Sequence, residues 1–97
     1  MPTYAVLCKW TSQGIQSVKQ SPGRLDAGRK AFEAAGIKMK DFYLVMGQYD
    51  MIIVVDAPDD ATLAKAALTL ASAGNIQTET LRAFTEDEYR KIVSGIA

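Results

Sequence analysis

The chain predicts a layered α+β domain, an antiparallel sheet with helices on one face. Three observations carry that prediction. Short runs rich in β-branched and aromatic residues alternate with stretches where apolar residues recur every three or four positions. The helical stretches begin and end on recognisable chemistry: Ser21-Pro22, Pro58-Asp59-Asp60 and Thr85-Glu86-Asp87-Glu88 at their starts, Gly36 and Gly74-Asn75 at their ends. The 97 residues suit a single domain, here taken as residues 1–97, with one modest core.

Thr3 to Trp10 (TYAVLCKW) is the first strand, rich in strand-favouring side chains and followed by polar turn material. TSQGIQSVKQ after it is weakly helical at best, because Gly14 costs about 1 kcal/mol inside a helix. Ser21 at the cap and Pro22 at the first helical position then open a firm helix. Its stripe is Leu25, Gly28, Phe32 and Ala35, whose small members suit close packing on a sheet, and Gly36 stops it. Ile37 to Met46 reads as the second strand and Tyr49 to Asp56 as its antiparallel return, joined at Gly47-Gln48 by a type II′ turn. Asp59 and Asp60 place negative charge at the positive end of the next helix, with Leu63, Ala67 and Leu70 as its buried stripe. Ile76 to Phe84 (IQTETLRAF) is a more polar fourth strand. Thr85 and Glu88 form a capping box for a short terminal helix with Tyr89, Ile92 and Val93 on one side. The order βαββαβ with right-handed crossovers is that of a ferredoxin-like sandwich, strand order 4-1-3-2, plus a C-terminal helix.

Composition removes several functions. Eleven basic and eleven acidic residues cancel, and the longest basic cluster is Arg29-Lys30, so no excess charge draws in a nucleic acid. No run approaches the ~20 apolar residues of a membrane span, and MPTYAVLCKW lacks the pattern of a secretory signal, so a cytoplasmic location is expected. The chain has no histidine, which closes off Ser-His-Asp and Cys-His nucleophiles, a His-ligated haem and an ordinary zinc site. No metal or cofactor is expected. The lone Cys8, inside YAVLC, reads as a small buried apolar residue.

With Gly47-Gln48 as the turn, Met46 lies opposite Tyr49 and the register follows. Phe42, Leu44, Met46, Tyr49, Met51, Ile53 and Val55 share the face expected under the helices. The other face carries Asp41, Tyr43, Val45, Asp50, Ile52, Val54 and Asp56. Ile52 and Val54 break the apolar-in, polar-out alternation of a sheet with one wet face. Burying each is worth about 1.5–3 kcal/mol as an upper estimate. A second copy packed sheet to sheet is the expected cover, leaving a cleft near the sheet edges.

The stretch Gly47-Gln48-Tyr49-Asp50 resembles the motif for which the GYD-domain family is named. The resemblance extends to Trp10-Thr11-Ser12-Gln13-Gly14-Ile15, Ser21-Pro22-Gly23-Arg24, Ala57-Pro58-Asp59-Asp60 and the run from Gly74 to Phe84. It covers essentially the whole chain. It implies a small bacterial-type protein of the dimeric α/β-barrel group, and no particular reaction or ligand.

Four residues are the candidate site. Asp50, on the open face beside Ile52, is a base if a partner subunit partly buries it, and otherwise a hydrogen-bond acceptor for backbone or a partner for an arginine. Tyr43 accompanies it as the second catalytic candidate. Arg82 offers a two-pronged guanidinium to a carboxylate, in a ligand or on Asp50, although strand parity leaves open whether Arg82 or Glu79 faces the cleft. Trp10 is large enough to roof a pocket between sheet and helices, or to plug the end of the core. These residues frame three functions: a homo-oligomeric module binding a small organic ligand between sheets, a cofactor-free monooxygenase or isomerase, and a pure interaction or assembly module.

Overall fold

The computed structural model describes residues 1–97. Strand β1 (Thr3–Trp10) leads into a one-turn helix, α1 (Ser12–Gln16), and a short 3-10 turn over Val18–Gln20. Helix α2 (Ser21–Ala34), strands β2 (Lys38–Leu44) and β3 (Met51–Asp56), helix α3 (Asp60–Ser72), strand β4 (Ile76–Ala83) and helix α4 (Glu86–Ser94) follow. The strands form one antiparallel sheet in the order β2-β3-β1-β4, the predicted 4-1-3-2 order seen from the other edge. The fold is the ferredoxin-like α+β sandwich.

Most of the predicted signals act where they stand, but Ser21 does not: α2 begins on it, Gln20 takes the cap position without a side-chain hydrogen bond, and Pro22 is the second helical residue. Pro22 occupies the first turn of α2, and Gly36 ends that helix in the left-handed region at φ 81°, which a side chain disfavours. Asp59 caps α3 by accepting from the Thr62 backbone N–H at 2.7 Å, and both halves of the capping box, Thr85 and Glu88, are made at α4. The core lies between the sheet and α2 and α3. Tyr4, Val6 and Cys8 of β1 and Met51, Ile53 and Val55 of β3 point into it, meeting Phe32, Ile37 and Leu63.

Register between β2 and β3 is the expected one: Leu44 pairs with Met51, Tyr43 with Ile52 and Phe42 with Ile53. A bulge between Met39 and Asp41 then shifts it by one residue. The extra residue lets Met39 and Phe42, three apart, both pack against the core.

The tip of this hairpin departs from expectation. The ladder stops at Leu44 and Met51, and residues 45–50 form a loop closed by the Val45 N–H donating to the Asp50 carbonyl at 2.8 Å. Gly47 sits at φ 143°, well away from the first position of a type II′ turn. Met46, fully exposed, therefore extends past the helices instead of lying under them, and Leu44, 67% exposed, only borders the helix-side space. Tyr49, expected on the helix side, crosses to the other face and donates its hydroxyl to Glu79 at 2.6 Å.

No helix covers the second face of the sheet. It carries Ala5 and Leu7 from β1, Ile52 and Val54 from β3, Tyr43 from β2 and Leu81 from β4, all half-buried or exposed. At its margins lie Lys9, Tyr49 and Glu79 at one end and Asp56, held by the Thr3 hydroxyl at 2.8 Å and Lys40 at 3.7 Å, at the other. Helix α4 also stands apart: none of its residues is buried, and Tyr89, Ile92 and Val93, with Ile96 just beyond, are exposed. No helix of the structure is long and apolar enough to cross a membrane.

Candidate functional site

At the end of the sheet where β1 stops, four of the five segments that suggested the family converge; the fifth, from Ala57 to Asp60, lies at the start of β1, where the Ala57 N–H donates to the Pro2 carbonyl at 3.0 Å. Trp10 is the last residue of β1, and its backbone N–H donates to the Asp50 carboxylate at 3.0 Å. The Asp50 backbone bonds on both sides as well, donating its N–H to the Cys8 carbonyl at 2.8 Å and accepting from Val45. Asp50 thus ties the ends of three strands together, which is the structural role weighed against catalysis in the sequence. Thr11 caps α1 by accepting from the Gly14 N–H at 3.1 Å, and its own N–H reaches the Asn75 carbonyl at 3.0 Å. Gln13 adds bonds to the Ala73 carbonyl and the Asn75 side chain, each 3.1 Å. Gly14 passes so close to the α3–β4 turn that a Cβ there would lie 2.0 Å from the Asn75 carbonyl oxygen, so glycine is required. Arg24 finishes the clasp from α2, donating to the Ser17 carbonyl and hydroxyl and to the Gly14 carbonyl at 3.1–3.2 Å.

Beside this clasp a cleft of about 900 Å³ opens between the helices and the sheet. Its floor includes Trp10, Phe42, Met51 and Ile53, and its walls are α2 and α3. The cleft exists because the facing sides of those helices carry small residues: Ala27, Gly28, Ala31 and Ala35 on one, Thr62, Ala66, Thr69 and Ala73 on the other. The small residues of α2 were expected to bring it tightly onto the sheet; together with those of α3 they leave space. Volume and apolar lining both fall in the range of small-molecule sites. Its polar side chains include Arg24, Lys65 and Asn75, and no carboxylate lines it. Cys8 also contributes, but burial pushes its thiol up to about 11, so it contributes sulfur to an apolar wall rather than a nucleophile.

The four candidate residues are only partly brought together. Trp10 and Asp50 meet, and Trp10 both packs against the core and lines the helix-side cleft. Tyr43 is on the opposite, open face, paired with Ile52, and is exposed. Arg82 sits at the far end of the sheet, opposite Tyr4 on β1, six residues or about 20 Å along the strand from Trp10. Its guanidinium stacks on Phe84 at 4.4 Å and Tyr4 at 5.6 Å and donates to the Thr3 carbonyl at 3.2 Å. Parity puts Arg82 on the helix side and Glu79 on the open face, so an Asp50–Arg82 pair does not form within the chain. Glu79 instead accepts from Tyr49, whose pKa is raised first by that hydrogen bond, while Lys9 lies 5.4 Å over the Tyr49 ring. Lys65 at the cleft escaped the sequence reading because it belongs to no apolar stripe. The spacing of Thr62, Ala66, Thr69 and Ala73 beside the Leu63, Ala67, Leu70 stripe was the available signal.

A sequence model of the GYD domain matches residues 4–93. The chain belongs to the GYD-domain family. A Thermus thermophilus relative, the glutamine synthetase and cystathionine beta-lyase binding protein, is 39% identical over 84 residues, which cover 86% of this chain and 88% of the relative. Among solved structures, TTHA0845 from Thermus thermophilus superposes with a TM-score of 0.57 at 25% identity, covering 88% of this GYD-domain chain and 95% of its own. The leucine response regulatory protein LrpA of Mycobacterium tuberculosis has a TM-score of 0.54 at 16% identity. The GYD-domain chain covers 54% of that protein, and the likeness is one of fold.

Proposed function

We propose that this GYD-domain protein is a protein-binding module that pairs with itself through the open sheet face and docks on metabolic enzymes through α4. The observation that carries the reading is the state of α4. It is a well-capped amphipathic helix whose apolar side, Tyr89, Ile92 and Val93, is turned to solvent with no residue buried. An apolar helix face of that kind fits the helix-in-groove mode of recognition, read as anchors at i, i+3 and i+4. The name of the Thermus relative, 39% identical to this chain, supplies the first partners to test, glutamine synthetase and cystathionine beta-lyase. A catalytic reading draws no support from Asp50, whose carboxylate already holds the Trp10 N–H, or from Tyr43 on the other side of the sheet.

Purified glutamine synthetase and cystathionine beta-lyase from the same cell, each titrated against the immobilised chain, test the proposal. Saturable binding of at least one enzyme is expected, weakened at least tenfold by Ile92→Glu together with Val93→Glu. Those substitutions remove no buried contact, so the circular dichroism melt of the domain should not move. Failure of both enzymes to bind, or binding indifferent to the double variant, overturns it.

A further inference from the structure

We infer that the helix-side cleft is a binding site for a small anionic amphiphile: an apolar chain or ring system with one carboxylate or similar head. Neither self-assembly nor enzyme docking uses this space, since it lies between the helix layer and the sheet.

Two independent features select the ligand class. The first is shape and chemistry. About 900 Å³ bounded by Trp10, Leu25, Phe42, Met51, Ile53 and Leu70 takes an apolar body of drug or fatty-acid size. The second is charge. The chain as a whole is neutral, yet the charged side chains at this cleft are both cations, Arg24 and Lys65. The ion pairs of the protein join other residues: Arg29 to Asp26, Lys40 to Asp56 and Arg90 to Glu86. Arg24 is hydrogen-bonded only to neutral acceptors, the Ser17 carbonyl and hydroxyl and the Gly14 carbonyl, so its charge is positioned without being neutralised. Lys65 is exposed and free to swing over the mouth. A cation held at the edge of an apolar, low-dielectric cleft attracts an anion more strongly than one in bulk water. A neutral apolar molecule gains only the burial term, and a cationic one is repelled.

Trp10, the only tryptophan, lines the cleft and reports on it. Dodecanoate and uncharged dodecanol, each below its aggregation limit, are titrated into the purified chain while Trp10 emission is followed. Dodecanoate should give a saturable change at one molecule per chain, with an affinity at least tenfold above that of dodecanol. Lys65→Glu, an exposed change that leaves the fold intact, should abolish that preference. Ala66→Phe, which fills the cleft from α3, should abolish binding of both probes. Should that variant fail to fold, Thr69→Phe on the same wall replaces it, with its melt as control. No saturable response, equal affinity for the two probes, a preference unchanged in Lys65→Glu, or binding undiminished in the folded filled variant each overturns the inference. Because α4 is untouched throughout, the outcome is separate from that of the enzyme-docking test.

Discussion

Asp50 shows how one side chain is drawn into architecture. Its carboxylate takes the N–H of Trp10 at 3.0 Å, where β1 runs past the end of β3, its ladder with that strand having stopped at Cys8 and Met51. A half-buried backbone donor left without a partner costs its desolvation, and a bond to a charged acceptor is worth more than a neutral one. Asp50→Ala should therefore lower stability by about 1.5–3 kcal/mol in urea unfolding. Asp50→Asn, which keeps an acceptor oxygen, should recover most of that loss. If both variants unfold at the wild-type midpoint, the Asp50–Trp10 bond does not hold the strand ends. The same geometry explains the order Gly-Gln-Tyr-Asp at this position. The loop turns on Gly47 at φ 143°, Tyr49 swings across to Glu79, and Asp50 is left facing the end of β1.

At the scale of elements, the caps make their own prediction. Glu88 is held below the usual carboxylate range, first by the hydrogen bond from the Thr85 backbone N–H, and Asp59 likewise by the Thr62 N–H. A depressed folded-state pKa means the ionised group stabilises the folded helix start. That contribution is present above the unfolded Glu value of about 4.3 and is lost as pH falls through the lower folded value. Because α4 buries no residue, its helicity leans on this cap. Helical signal from α4 should fall below about pH 4, and Glu88→Gln should flatten that acid limb at the α4 amides. An acid limb identical in Glu88→Gln would remove Glu88 from the cause. These caps were legible in the sequence because they are local: Thr85 and Glu88, or Asp59 and Thr62, lie three residues apart. The β2–β3 register was legible for the same reason, following from a short connection and period-two alternation, while strand order followed from the handedness of the two crossovers. The bulge at Lys40, the crossing of Tyr49 and the site of Arg82 were not. Each depends on which face a residue reaches after packing, and one extra residue inverts parity. The cleft was missed on different grounds. Small residues on α2 and α3 are compatible with close packing and with a void, and only the separation of the helices distinguishes them.

For the whole molecule, the open sheet face sets the sharpest expectation. An antiparallel sheet with one wet face normally shows polar residues there, whereas this one sets Leu7, Ile52, Val54 and Leu81 side by side across three adjacent strands. A contiguous apolar patch rimmed by Lys9, Glu79, Asp41 and Asp56 matches the anatomy of an interface with an apolar centre and a charged margin. The rim carries both signs, so a two-fold copy of the same face can set Lys9 or Lys40 against the acids of its twin without net repulsion. Each buried aliphatic side chain adds about 1.5–3 kcal/mol, and two-fold symmetry counts every one twice. Sedimentation at micromolar concentration should therefore give twice the 10.5 kDa chain mass. Val54→Lys, placed at the centre of the patch, should return it to a single chain, while Ile92→Glu on α4 should leave the pair intact. Wild-type protein sedimenting as one chain would reject the sheet as a self-interface. If Ile92→Glu alone splits the pair, α4 rather than the sheet holds the copies together. The enzyme-docking surface would then have to be sought on the face where Ile52 and Val54 remain open.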